Sequence, residues 1–291
     1  MPTAHLDLAK PDAPLCAVDH ALFSSLLGAL AWLNQTRLDS CIFVCALQRI
    51  ASKPTTAHIV RINAVCRWVR RKEAFLCFKS VPGPVRLIVV ADSAFRREDL
   101  TGLAMRGHVI ALASPPADIA HRALQGDGPP ETVTVQILDW SARRQKRVVR
   151  STFAAELHSM CDAIEHSKLI TLAFTEVYQP GKSPVQLAEA LELGRLFLRI
   201  DVYTDCRSIY DSLKTADLRI PTEAGLYPLL LIVQHLLRTL VIHRLYWRDT
   251  RDMLADGLNK GAVARNALLS TPKISKWVLT YASKWVRKLP T

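Results

Sequence analysis

The spacing of apolar residues divides the chain into two parts. From 21 to 34 leucines recur at helical spacing, at Leu22, Leu26, Leu30 and Leu33, and Asp19 before them is a candidate N-cap. Similar patterns predict helices over 39–51 and from about 55 or 56 to 71, with Pro54 between them. The chain therefore begins with a small helical unit.

After Pro82 and Pro84 the pattern changes to short runs typical of β-strands. Strands are predicted over 85–91, 103–113 and 132–140, and residues 114–130, with four prolines and two glycines, are predicted to form an irregular loop. A helix over 152–175, a strand over 196–204, helices over 207–214 and 223–239 and a strand over 240–247 follow. The order βββαβααβ predicts an α/β fold in which helices pack on a mixed five-stranded sheet.

Composition narrows the class of protein. The 291 residues are 49% hydrophobic and 22% charged, which is typical of globular domains and argues against disorder or a fibrous repeat. The net charge of +12 predicts a polyanionic partner, either nucleic acid or an anionic membrane surface. No apolar run could span a bilayer and no secretory signal precedes the helical unit, so we expect an intracellular protein, in cytoplasm or nucleus, without a membrane partner. Seven scattered cysteines without a C-x-x-C pair argue against a disulfide framework and a zinc site.

Candidate chemistry lies at the ends of the predicted strands. Asp92 and Asp205 each close an apolar strand, where an unpaired carboxylate is rarely buried, although either taken alone could be a turn residue. Glu156 falls about 60° from the centre of the apolar face of the following helix, within reach of the sheet edge. A fourth acid comes from the segment after the last strand, which offers three aspartates: Asp249, Asp252 and Asp256. Such carboxylates suit two Mg²⁺ or Mn²⁺ ions about 3.5 to 4 Å apart, a site for phosphodiester hydrolysis.

Short motifs occur in a fixed order along the chain. They are TRLD (36–39), KPT (53–55), His58, ADS (91–93), DWSARRQK (139–146), RSTFAAE (150–156), YTD (203–205) and LADGLNK (254–260). In this order they resemble the C-terminal part of a copia-type retrotransposon polyprotein, the end of reverse transcriptase and its RNase H domain. The resemblance covers roughly 21–71 and 85–262. It implies a reverse-transcriptase connection or thumb remnant over 1–80, an RNase H-like domain over 81–262 and a basic C-terminal tail over 263–291.

The resemblance also implies which acids act. The resemblance implies that the catalytic residues and metal ligands are Asp92, Glu156, Asp205 and Asp256. Among the three aspartates of the last segment it therefore selects Asp256. The implied activity is hydrolysis of the RNA strand of an RNA–DNA hybrid with two Mg²⁺, or Mn²⁺, ions. We expect one ion on Asp92, Glu156 and Asp205 and the other on Asp92 and Asp256. Departures from the family pattern at Ala94, Ala154, Cys206 and Asn259 remove no metal ligand.

Two basic segments of the sequence are candidate binding surfaces for partners. A basic run precedes the helix that carries Glu156 and is a candidate nucleic-acid surface, or else a solvated loop: Arg143, Arg144, Lys146, Arg147 and Arg150. Basic and aromatic residues near the C-terminus predict an amphipathic helix: Lys276, Trp277, Lys284, Trp285, Arg287 and Lys288. No Tyr-x-Asp-Asp palm motif occurs, so no polymerase activity is expected. Expected partners are the hybrid and the remaining polyprotein domains of a longer chain, and the alternative function is an inactive remnant that binds nucleic acid or a partner protein.

Overall fold

The computed structural model describes residues 1, 3, 6–95, 103–114, 131–215, 217–260 and 266–279. Within these ranges the strands belong to one sheet and are β1 (Arg86–Ala94), β2 (Met105–Ser114), β3 (Glu131–Arg144), β4 (Ile200–Thr204), β5 (Ile242–Trp247) and β6 (Lys276–Leu279). The helices are α1 (Ala17–Leu33), α2 (Cys41–Gln48), α3 (Thr56–Arg71), α4 (Thr152–Tyr178), α5 (Pro184–Glu192), α6 (Arg207–Lys214), α7 (Tyr227–Arg238), α8 (Asp256–Asn259) and α9 (Asn266–Ile274). Single 3₁₀ turns occur at Leu38–Ser40, Ala224–Leu226 and Thr250–Asp252.

The sheet is mixed, with strand order β5-β4-β1-β2-β3-β6. β1, β2 and β3 form an antiparallel meander, while β4 and β5 run parallel to β1. This topology is RNase H-like, so the predicted fold class is confirmed. Four elements were missed: the helices α5, α8 and α9, and a sixth strand, β6. β6 pairs antiparallel with β3 and replaces part of the amphipathic helix predicted near the C-terminus.

Hydrophobic cores lie on both faces of the sheet. On one face α4 and α7 pack through residues such as Leu157 and Leu230. On the other face Leu258 of α8 and Trp277 of β6 pack beside Tyr203 and Tyr246. All five residues of β4 are buried, as expected of a parallel strand covered on both sides. The central strands are therefore fixed from both faces, and so are the side chains at their ends.

The helical unit has its own core and also packs on the sheet. Phe23, Leu27 and Leu30 of α1 are buried, whereas Leu22 of the predicted apolar face is 48% exposed. The predicted N-cap was also wrong: Cys16 caps α1 by accepting a hydrogen bond from the backbone N–H of Asp19. Trp140 Nε1 on β3 donates to the carbonyl oxygen of Asn34 at 3.0 Å, which joins the unit to the sheet.

Some sequence predictions lie outside the described residues. These are the irregular loop from 115 to 130 and the C-terminal residues Lys284, Trp285, Arg287 and Lys288. Of the predicted C-terminal helix, Lys276 and Trp277 are described, and both lie in β6. Among the described helices none is both long and apolar enough to cross a bilayer.

Candidate metal-binding site at the ends of β1 and β4

Two parallel strands place the first two acids side by side. Asp92 lies near the end of β1, and Asp205 directly follows the end of β4. Because Val90 pairs with Tyr203 in register, the two strands reach the same edge of the sheet at these aspartates. Carboxyl ends of neighbouring parallel strands are a common place for ligands in α/β proteins. The apolar runs that form the strands thus also bring the two carboxylates together.

The third acid comes from the helix that covers this edge. Ser151 caps α4, and Glu156 lies in the second turn with its side chain buried. Ser159, one turn later, donates a hydrogen bond to the backbone carbonyl of Asp92 at 2.9 Å and so ties the helix to β1. Asp92, Glu156 and Asp205 each place a carboxylate oxygen within 4.8 Å of the others. We call these three residues the carboxylate cluster.

The donor set of the carboxylate cluster fits a hard divalent cation. Asp92 is 1% exposed, and among the described residues its Oδ1 atom has no hydrogen-bond partner. A buried carboxylate oxygen without a partner is costly unless a cation or donor satisfies it. Oxygen donors are the ligands that Mg²⁺ and Mn²⁺ take in proteins. The cluster could therefore hold such an ion, with Asp92 Oδ1 as an available ligand.

Asp256 lies beside Asp92 but outside the cluster. It begins α8 and accepts hydrogen bonds from Thr250 Oγ1 at 3.0 Å and from Lys260 Nζ at 2.6 Å. The same ammonium group lies 2.8 Å from Asp92 Oδ2, so Lys260 bridges the two carboxylates. Asn259 Nδ2 also donates to Asp92 Oδ2, at 2.8 Å. Of the four acids selected by sequence, three share one site and the fourth joins it through Lys260 and Asp92.

Burial, the neighbouring carboxylates and Lys260 shift the pKa values of the four acids in different directions. Burial, followed by the charges of Asp92 and Asp205, raises the pKa of Glu156 to about 11. Burial and Asp92 likewise raise the pKa of Asp205 to about 6 and that of Asp256 to about 8. Burial alone would raise the pKa of Asp92, but hydrogen bonds with Asp256 and the charge of Lys260 outweigh it and lower that pKa. The site therefore holds one ionised carboxylate firmly and disfavours further negative charge.

Two supporting contacts were not predicted from sequence. Gly107 of β2 lies opposite Asp92, and a Cβ atom there would come 2.9 Å from Leu258 Cβ and 3.2 Å from the carbonyl oxygen of Ala255. Only a residue without a side chain lets α8 approach the sheet this closely. Lys260 is the last residue of the LADGLNK motif, and no signal in the sequence shows that its ammonium group reaches Asp92.

The other two aspartates of the last segment have structural roles. Asp249 pairs with Arg251 at 2.9 Å and caps the turn at 250–252. Asp252 is buried, and its backbone carbonyl accepts a hydrogen bond from Trp277 Nε1 at 2.9 Å. Neither belongs to a metal-binding group in the described part of the chain.

The predicted basic run divides between a strand and a loop. Arg143 and Arg144 end β3, and Lys146, Arg147 and Arg150 follow it; all five are exposed. Between them Gln145 is buried and donates to the carbonyl oxygen of Ala155 at 2.7 Å, which anchors the loop beside Glu156. Arg147 and Arg150 line a cavity of about 490 Å³ with His158 and Glu223. Positive charge therefore lies on exposed surface next to the helix that carries Glu156.

Known proteins give little information about the family or function of this chain. No protein-family model and no curated protein sequence matches the chain. Among solved structures it is similar to the protease–reverse transcriptase of prototype foamy virus, with a TM-score of 0.30 and 12% identity over 66% of this chain and 23% of that chain. The chain thus spans less than a quarter of that viral protein. The geometry of the site, rather than this similarity, supports the function proposed below.

Proposed function

We propose that the protein is a metal-dependent ribonuclease H that hydrolyses the RNA strand of RNA–DNA hybrids. The observation that carries the proposal is the carboxylate cluster on an RNase H-like sheet, with one buried aspartate oxygen free to bind an ion. The sequence resemblance to the RNase H domain of copia-type retrotransposons supports the same activity. It also supports the proposed organisation, a reverse-transcriptase remnant over 1–80, the nuclease domain over 81–262 and a basic tail.

Asp92, Glu156 and Asp205 would hold Mg²⁺ or Mn²⁺. Such an ion supplies Lewis-acid stabilisation of charge on the scissile phosphate and a more acidic water. The protein residues keep the ligands in place: the Ser159 and Asn259 side chains hold Asp92, and Trp247 Nε1 donates to the backbone carbonyl of Asp205 at 2.7 Å. The raised pKa of Glu156 indicates that a cation must offset the negative charge before all three carboxylates ionise.

For the second ion, we propose Asp92 and Asp256 as ligands. Lys260 now links these two carboxylates, so its ammonium group must move away before an ion binds between them. The Thr250 hydroxyl would keep Asp256 oriented while Lys260 moves. Lys260 then becomes available to a phosphate oxygen of the substrate.

The substrate class follows from the basic surface and the resemblance. The five exposed cations of 143–150 lie beside α4, where they would contact phosphates of a bound duplex. Selectivity for the RNA strand would come from contacts with 2′-hydroxyl groups, which DNA lacks. We propose further that the remaining domains of a longer polyprotein are partners of the chain.

A second candidate is favoured by the Lys260 bridge. An ammonium group that neutralises Asp92 and Asp256 substitutes for a cation, as expected of a site that no longer binds a second ion. The protein would then be a catalytically inactive remnant that binds nucleic acid, or a partner protein, through its basic surface. This candidate predicts hybrid binding without cleavage.

The deciding experiment is cleavage of a strand-labelled RNA–DNA hybrid by the purified chain with Mg²⁺ or Mn²⁺. We expect cleavage of the RNA strand alone, loss of cleavage in Asp205→Asn, and unchanged cleavage in Asp211→Asn, which removes an exposed aspartate paired with Arg207 on α6. A folded protein that binds the hybrid but cleaves it with neither metal would reject the enzyme and support the inactive remnant.

A further inference from the structure

A second group of metal-binding side chains lies away from the carboxylate cluster. His108 of β2, Asp139 of β3 and His166 of α4 place one donor atom each within 4.8 Å of the others. We call them the histidine cluster. His166 lies ten residues after Glu156 on α4, which is about 15 Å along the helix axis at 1.5 Å per residue. The two clusters share a helix but have no residue in common.

The pairing of β2 with β3 brings the first two residues together. Ile110 pairs with Asp139, and a register shift follows between Ile110 and Ala111. Side chains two residues apart on a strand share a face, so His108 and Ile110 point to the same side of the sheet. Ile110 packs in the core that α4 covers, and this places His108 and Asp139 beneath the helix. His166 completes the group from above.

Two of the three donor–donor distances are close to those of a tetrahedral site. His108 Nε2 lies 3.2 Å from Asp139 Oδ2, and His166 Nδ1 lies 3.6 Å from the same oxygen. Ligands about 2.0–2.1 Å from a Zn²⁺ ion in tetrahedral geometry are separated from each other by about 3.3–3.4 Å. The longer contact exceeds the usual range of a hydrogen bond. A hydrogen bond therefore accounts for one of the two contacts but not for the other.

Burial and charge suit two imidazoles and one carboxylate. The His108 side chain is 7% exposed, while those of Asp139 and His166 are each 41% exposed, so the group opens to solvent on one side. Burial lowers the pKa of His108, against the hydrogen bond and charge of Asp139, which raise it. Arg106, a nearby cation on β2, is paired with Asp162 of α4.

We propose that His108, Asp139 and His166 bind a divalent transition-metal ion of the Zn²⁺ class, with water completing the coordination. Two imidazoles and one carboxylate are ligands that Zn²⁺ takes readily, whereas Mg²⁺ prefers oxygen donors. Bound there, the ion links α4 to the β2–β3 hairpin. It would stiffen the helix that also carries Glu156, whether or not the chain is a nuclease.

The test is calorimetric titration of Zn²⁺ into the full chain with Mg²⁺ in excess, so that the carboxylate cluster meets its preferred ion. We expect one Zn²⁺ per chain and at least a tenfold weaker affinity in His166→Ala and in Asp139→Asn. His158→Ala, which removes a half-buried histidine of the same helix outside the cluster, should bind as the wild type does. Zn²⁺ should also raise the melting temperature of the wild type more than that of the two variants.

Several results would overturn the proposal. It fails if the wild type takes up no Zn²⁺, or if His166→Ala and Asp139→Asn both bind Zn²⁺ as tightly as the wild type. It also fails if Asp205→Asn abolishes Zn²⁺ uptake while His166→Ala retains it, because the ion would then belong to the carboxylate cluster. Because the side chains of His166 and Asp139 are partly exposed, both variants should fold, and circular dichroism checks this. If one variant does not fold, the Zn²⁺ affinity of the other variant tests the proposal.

Discussion

The carboxylate cluster and the histidine cluster lie on the same helix but are stabilised differently. In the carboxylate cluster burial and like charges act together, and the pKa of Glu156 rises to about 11. In the histidine cluster the charge of the acid is offset by its neighbours: burial would raise the pKa of Asp139, but the hydrogen bond and charge of His108, with the charge of His166, lower it. In the histidine cluster the charges offset one another without an ion. In the carboxylate cluster the acids repel one another when they ionise, and a bound cation would remove that repulsion.

This difference indicates what each group does. A cluster that opposes its own ionisation is costly to the fold, and such sites are typically retained for chemistry. A cluster whose charges balance adds little cost and suits a structural role.

The largest effect is expected from Glu156→Gln. The amide has the same shape but no charge, so metal-dependent cleavage should fall at least about a hundredfold, since changes to groups that only orient a metal ligand already cost about 10- to 100-fold. The melting temperature of the metal-free protein at pH 8 should rise. The pKa of Glu156 is raised to about 11 in the folded state, so this side chain must take up a proton when it is buried at pH 8, and glutamine avoids that cost. Glu165→Gln, an exposed change on the same helix, should alter neither quantity. If cleavage and the melting temperature of Glu156→Gln both fall, the carboxyl group of Glu156 does not destabilise the metal-free fold and this prediction is wrong.

A smaller effect is expected from pH. The pKa of Glu156 rises from 4.5 to about 11 on folding, and those of Asp205 and Asp256 rise from 3.8 to about 6 and about 8. The folded state binds more protons than the unfolded state between pH 5 and pH 8, so these groups make the metal-free protein less stable as pH rises. Asp92, whose pKa is lowered, is ionised in both states over this window and adds no slope.

Metal ions should remove this pH dependence. We expect Mn²⁺ to raise the melting temperature more at pH 8 than at pH 5.5, because it offsets the charge that appears as the carboxylates lose protons. Thermal denaturation at the two pH values, with and without Mn²⁺, measures the difference. Asp205→Asn should reduce the rise in melting temperature that Mn²⁺ causes at pH 8. If Mn²⁺ raises the melting temperature equally at both pH values, repulsion among these acids does not destabilise the metal-free protein.

The sequence predicts the acids at the strand ends well because an apolar run marks both the buried strand and the acid that follows it. The apolar run 87–91 makes β1 a buried strand, and the acid that closes it is conspicuous for the same reason. The face of α1 was predicted in part: Leu30 is buried and Leu26 packs against the same core, but Leu22 is exposed and Phe23 takes its place. Leu22 and Phe23 both begin a stripe at helical spacing, and packing in the core formed with α3 selects the second. The short β6 was missed because four residues form a strand only when β3 pairs with them.

The histidine cluster could not be predicted for a related reason. His108 and Asp139 are brought together by the pairing of β2 with β3, and His166 by the position of α4 over the sheet. The cysteine spacing that argues against a zinc site carries no information about histidines on separate elements. Contacts of this kind depend on how distant elements pack, and the packing of α8 on the sheet likewise brings Lys260 to Asp92.

The smallest effect is expected from Gly107→Ala, which tests how the site depends on close packing. The added methyl group would meet Leu258 Cβ at 2.9 Å and the carbonyl oxygen of Ala255 at 3.2 Å, and α8 must shift to accept it. Overpacking of this kind costs about 1–3 kcal/mol. Gly28→Ala, on an exposed helical position with nothing within 4 Å, should instead stabilise by about 0.4–1 kcal/mol. Because α8 carries Asp256 and Asn259, the shift should weaken binding of Mn²⁺ while Zn²⁺ binding at the histidine cluster stays unchanged, and equal losses at both clusters would show that the two sites are not independent.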